Sequence, residues 1–112
     1  MWVPYNYLPD EFANTEQIFR EWTSLIKTTE FTLGTYVRDF ESMFARYVGA
    51  KHCVATNNGT DSLILSLKAL EVGATDEVIT VANTFYATVG AIVACGATPV
   101  LVDCDKRFQI SV

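Results

Sequence analysis

The stretch that decides the fold is "VATNNGTDSLILSLKAL", residues 54–70. Two apolar runs flank a small polar cluster, Asn57, Asn58, Gly59 and Thr60. Asn-Gly ahead of an apolar run is a hairpin signal, and Leu63-Ile64-Leu65-Ser66-Leu67 also suits a strand. The run continues through Lys68 and Ala69 to Leu70, however, and Leu63, Ile64, Leu67 and Leu70 make a stripe at helical spacing. The better reading is a strand over 52–56, a turn, and a helix over 61–71.

Downstream the same rhythm repeats. Residues 77–81, "EVITV", read as a strand, 84–95 as a helix, and 99–103, "PVLVD", as a strand. Strand and helix in alternation predict a parallel sheet covered by helices, the α/β class. Upstream the period is helical. Asn14 with Gln17 three positions on reads as a capped helix start, followed by Ile18, Trp22, Leu25 and Ile26. "TTEFTLGT" breaks that pattern, with Gly34 as the turn. A second helix is expected over 36–48, with Val37, Phe40, Phe44 and Tyr47 on one face and Gly49 as its stop. The first ten residues, aromatic and containing prolines, read as an extended arm.

A strand-to-helix turn exposes unpaired N–H groups at the positive end of the helix dipole. Gly59 allows close approach to the backbone, and the Thr60 hydroxyl can donate to an oxyanion, so the turn is a candidate phosphate seat. The same residues also serve for geometry and capping alone. No Gly-Lys-Ser/Thr follows, and the further glycines of a dinucleotide fingerprint are missing. In a parallel sheet the loops after the strands share one edge, which places Phe85, Tyr86 and Asp103 on the same side as the turn. Two adjacent aromatics there serve either as a staple or as a flat face for a planar ring.

Composition sets the bounds. With 112 residues, half of them apolar and 19% charged, the chain has material for one domain and is not a disordered tail. A net charge of −5 without a basic run argues against nucleic acid as a partner. No apolar run approaches the roughly 20 residues of a membrane span, and no signal peptide is evident, so the expected compartment is the cytoplasm. Cys53, Cys95 and Cys104 lack metal or disulfide spacing and read as small apolar residues; no metal site is expected. The sequon at Asn58 reads as accidental.

Taken together, Val3-Pro4-Tyr5, "FTLG" at 31–34, "FESMFARYVGAKHCVATNNGTDSL", "DEVITVANTFYAT" and "GATPVLVD" resemble the N-terminal part of the DegT/DnrJ/EryC1/StrS sugar aminotransferases, which use pyridoxal 5'-phosphate. The resemblance covers almost the whole chain. It implies a fold-type I transferase large domain, mainly parallel sheet with helices on both faces and incomplete here. Residues 1–34 would be an arm and first helix, and 35–112 the start of the cofactor-binding domain. It implies that Asn58, Gly59 and Thr60 hold the cofactor phosphate and that Phe85 stacks on the pyridine ring. Tyr5 and Phe31 would line the nucleotide-sugar site. Val81 and Thr35 stand where the family often has proline, away from the chemistry.

The family's Schiff-base lysine and the aspartate that pairs with the pyridinium nitrogen come later than residue 112. Lys27, Lys51, Lys68 and Lys106 lie outside the lysine motif, so no catalytic residue is assigned and the chain alone is expected to be inactive. The implied reaction moves an amino group from an amino acid, with glutamate the expected donor, to a nucleotide-linked keto sugar in a homodimer. A sugar dehydratase of the same family and a stand-alone phosphate-binding module are the alternatives. The family fold also implies that the strands around Ile79 and Val100 pair at one edge of a larger sheet, with the one near Cys53 apart from them. Simple β-α-β succession would instead make all three neighbours.

Overall fold

The computed structural model describes residue 3 and residues 5–111. The chain divides into two compact units, Met1–Val54 and Ala55–Val112.

The first unit is helical. α1 (Leu8–Glu11) is a single turn within what the sequence suggested was an extended arm. Pro9 sits in that first turn, where its fixed φ suits a helix and its missing N–H costs no intrahelical bond. α2 (Glu16–Thr28) takes Thr15 as its N-cap, not Asn14, and makes no side-chain cap bond. The Thr15 carbonyl accepts the Phe19 amide at 3.0 Å, which starts the ladder one residue later than expected. Thr29, at φ 57°, ends it. α3 (Thr35–Val48) runs as expected to Gly49, whose φ of 72° is the left-handed stop that favours glycine. Phe40, Phe44 and Tyr47 do share a face, with ring centroids 5.6 and 6.3 Å apart. The Tyr36 hydroxyl donates to Glu21 Oε2 at 2.7 Å, linking α3 to α2.

Residues 52–56 form no strand. A strand exists only through ladder bonds to a neighbour, and the strand pairing among the described residues, Glu77–Val81 with Thr98–Val102, does not include this segment.

The second unit holds α4 (Gly59–Ala69), β1 (Glu77–Val81), α5 (Tyr86–Ala94) and β2 (Thr98–Val102). Helix therefore prevails over hairpin after Asn58-Gly59. β1 and β2 pair in parallel, with Ile79 opposite Val100. This is the pairing expected from the family fold, whereas the three-stranded sheet of simple β-α-β succession does not form. α5 buries Ala87, Ala91 and Ile92, and Ala97 joins them. The small side chains let the helix approach the sheet closely. The Cys95 thiol lies 3.7 Å from the Ile64 carbonyl, linking α5 to α4. Beyond β2, a bridge between Cys104 and Ile110 closes a loop on Asp105. The Arg107 and Gln109 amides donate to its carboxylate at 2.8 and 3.1 Å, and those donors hold its pKa below the ordinary value.

The core is thin. No large side chain among the described residues is fully buried, and Ile79, Leu101 and Trp22 are all more than half exposed. α4, β1 and α5 leave between them an open apolar groove of about 220 Å³, lined by Leu63, Leu67, Leu70, Val78, Ile79 and Ile92. Apolar surface on this scale is what partner elements cover. No helix of the described residues is long and apolar enough to cross a membrane.

Candidate functional site

The head of α4 is built by its own sequence. Asn58 is extended, at φ −162°, and caps the helix by accepting the Asp61 amide on Oδ1 at 2.9 Å. Its Nδ2 donates to Asp61 Oδ2 at 3.0 Å, holding that carboxylate on the cap side chain. The Asn58 carbonyl accepts the Ser62 amide and lies within hydrogen-bond distance of the Ser62 and Thr56 hydroxyls, one of which donates to it. Thr56 and Ser62 also share a hydrogen bond. Four side chains thus lock the turn. Sequence reading singled out Asn58 and missed Thr56, Asp61 and Ser62. The signal for them was their spacing about the cap, at minus two, plus three and plus four.

The locked turn leaves Gly59 and Thr60 as the first two helical residues, whose amides have no intrahelical acceptor. A Cβ built on Gly59 would meet nothing within 4 Å, so the space before it is open. The half-buried Thr60 hydroxyl makes no hydrogen bond among the described residues. Two amides and a hydroxyl at the positive end of a helix are the groups that suit an oxyanion. An open cleft lined by Thr56, Asn57, Asp61 and Ile64 adjoins the turn.

Phe85 stands in the same unit, at the N-cap of α5. The loop leaves the carboxyl end of β1, and the Ala82 amide donates to the Val102 carbonyl at 3.1 Å. Phe85 makes no side-chain cap bond. Its ring lies 4.3 Å from that of Tyr86, tilted by 44°, and both are largely exposed. The helix starts at Tyr86, two residues after the expected start. Thr84 instead pairs its hydroxyl with that of Thr88 at 2.9 Å. No described hydrogen bond or ring contact joins Phe85 to the α4 head.

Tyr5 and Phe31 belong to the first unit. Tyr5 is fully exposed and Phe31 is 64% exposed. Among the described residues no group of His, Cys, Asp and Glu is arranged to hold a metal.

Residues 13–112 match the DegT/DnrJ/EryC1/StrS aminotransferase family. A dTDP-3-amino-3,4,6-trideoxy-alpha-D-glucose transaminase of Micromonospora megalomicea subsp. nigra is 51% identical over 99 residues, 88% of this chain and 26% of that protein. The crystal structure of a DegT DnrJ EryC1 StrS aminotransferase from Brucella abortus superposes with a TM-score of 0.90 at 28% identity, over 98% of this chain and 30% of that one. NtdA from Bacillus subtilis, with bound cofactor PMP, gives 0.79 at 37% identity, over 81% of this chain and 21% of that one. The chain spans about a quarter of the length of the curated relatives it matches. Its parallel strand pair, helical cover and these neighbours place it in the fold-type I class, and the chain belongs to the DegT/DnrJ/EryC1/StrS aminotransferase family.

Proposed function

We propose that the protein works as a pyridoxal phosphate-dependent sugar aminotransferase, moving an amino group from an amino acid, glutamate by preference, to a nucleotide-linked keto sugar. The observation that carries this reading is the head of α4, a capped turn with open space at Gly59 and an uncommitted Thr60 hydroxyl. The donor set fits a phosphate monoester. The Gly59 and Thr60 amides and the Thr60 hydroxyl can donate, and the nearby Asp61 carboxylate is held by Asn58.

In this reading Asn58 sets the turn, the Gly59 and Thr60 amides with the Thr60 hydroxyl hold the cofactor phosphate, and Phe85 covers one face of the ring. Bound there, the cofactor supplies the electron sink that amine chemistry needs. Residues 35–112 are then the start of the cofactor-binding domain. Tyr5 and Phe31 line the sugar-nucleotide site, and the exposed apolar faces are consistent with assembly as a cytoplasmic homodimer. None of the four lysines is given a catalytic role.

The test is cofactor retention by Thr60→Val, followed by equilibrium dialysis against pyridoxal phosphate and, as a control, pyridoxal. A hydrogen bond to a charged group contributes about 1.5–3 kcal/mol, so the variant loses roughly ten- to a hundred-fold in affinity for the phosphate ester and little for pyridoxal. Equal retention by variant and wild type would remove the phosphate from this turn.

A further inference from the structure

Positive charge collects in one place on an otherwise acidic chain. The net charge is −5, yet three of the eight Lys and Arg residues and the only histidine lie within residues 38–52. Arg38, Ser42 and Arg46, four apart, form a stripe along α3. Gly49 reverses the chain, and the Ala50 amide donates to the Ala45 carbonyl at 2.9 Å. That reversal returns Lys51 and His52 alongside the stripe. Together they line an open cleft of about 320 Å³ in which Glu41 is the one acidic side chain among the described residues.

The cations there are unevenly committed. Arg38 is anchored, donating from one guanidinium nitrogen to the Leu33 carbonyl at 3.1 Å and from the other to Thr35 Oγ1 at 3.2 Å. The ion pairs among the described residues are Arg20 with Glu16 and Arg107 with Asp105. Among the described residues Arg46 and Lys51 therefore make no ion pair with a carboxylate. An anchored guanidinium, a second guanidinium, an ammonium and a hydroxyl facing one cleft outweigh a single carboxylate. They offer more donors than one phosphate can use, in more space than it fills. Guanidinium forks and an ammonium are the groups that recognise phosphate oxygens.

We infer that this cleft binds a diphosphate-bearing anion, at a site distinct in sequence from the α4 head. The site needs neither Thr60 nor the cofactor. Being exposed, it weakens as salt is raised.

Equilibrium dialysis of the chain against inorganic pyrophosphate at fixed ionic strength, with amide shifts followed by NMR, tests the inference. Saturable binding is expected, with shifts at residues 38–53 that titrate independently of any at the α4 head and persist in Thr60→Val. Orthophosphate should bind more weakly. Arg46→Ala with Lys51→Ala should weaken pyrophosphate roughly tenfold or more, since two charge-assisted contacts are lost. Thr60→Val should leave it unchanged, which separates this site from the cofactor seat. Both substituted side chains are on the surface, and the spectrum of the free variant reports whether it is folded. Non-saturating shifts, shifts reproduced by sodium chloride at equal ionic strength, orthophosphate binding as tightly as pyrophosphate, or wild-type affinity in the double variant would each overturn the inference.

Discussion

The pair Gly-Thr opens two helices of this molecule, and the two openings differ. At α3, Gly34 is the N-cap and Thr35 the first helical residue. The Glu30 carboxylate lies across that opening, accepting the Thr35 amide at 3.0 Å and the Thr35 hydroxyl at 2.8 Å. Gly34 is buried against it, and a Cβ there would sit 2.5 Å from the Glu30 carbonyl oxygen. At α4, Gly59 and Thr60 are the first two helical residues, and among the described residues nothing comes within 4 Å of a Cβ placed on Gly59. One helix carries its own anion, and the other is open to a foreign one. The Glu30 pKa shows what such an opening does to an anion. The backbone and hydroxyl donors of Thr35 hold it below its ordinary value, which is the preference a phosphate would meet at α4.

The largest expected contrast is in ligand affinity. Thr35→Val should leave pyridoxal phosphate binding unchanged while Thr60→Val weakens it by about 1.5–3 kcal/mol. Equal losses would erase the distinction between the two openings. Next comes stability. Gly34→Ala forces a methyl against backbone and should cost about 1–3 kcal/mol in urea unfolding, as overpacking does. Gly59→Ala enters open space and should stay within about 0.5 kcal/mol of wild type, a typical surface effect.

The Asn58 cap ranks third. Asn58→Ala should destabilise the protein by about 1 kcal/mol, because the Asp61 amide loses its acceptor. Phe85→Ala should loosen the cofactor by roughly 0.5–1.5 kcal/mol beyond the area lost and shift its absorbance, with Tyr86→Ala the milder of the two. The reverse order would mean that Tyr86 faces the ring.

The smallest effect is a pH dependence at α3. The folded pKa of Glu30 is lowered, so the unfolded chain takes up the proton first. Its stabilising contribution is present above the ordinary glutamate value of 4.5 and is lost as pH falls through the lowered folded value. Glu30→Gln should flatten the unfolding profile in that acidic window and leave cofactor binding alone. Asp105, lowered by the Gln109 and Arg107 amides, adds a slope of the same sign in both proteins, so the difference between them isolates Glu30.

Much of this was legible in the residues. The spacing of Leu63, Ile64, Leu67 and Leu70 separated helix from hairpin, because an amphipathic stripe is a local property. The β-branched run 77–81 marked β1 to the residue, and Gly49 marked the end of α3, because few other residues accept its φ. Asn58, Gly59 and Thr60 marked the start of α4, although the helix begins at Gly59, two residues before the expected 61. The ends of helices without a decisive cap were read less well. Asn14, Thr15, Thr84 and Phe85 are all possible starts, and only carbonyl geometry selects between them. α1 was missed because a single turn carries too short a period.

What the sequence determined by itself was what depends on neighbours a few residues away: periodicity, the Gly49 stop and membership of the family. Tertiary structure alone decided what depends on distant partners. Residues 52–56 have the composition of a strand but no ladder, while β1 has one because β2 returns beside it. Gly34-Thr35 and Gly59-Thr60 are the same dipeptide, and only the folded chain shows that a carboxylate covers one and open space the other. A side chain's chemistry is set by its own residue, but whether that chemistry is already satisfied depends on what the fold brings within 3 Å.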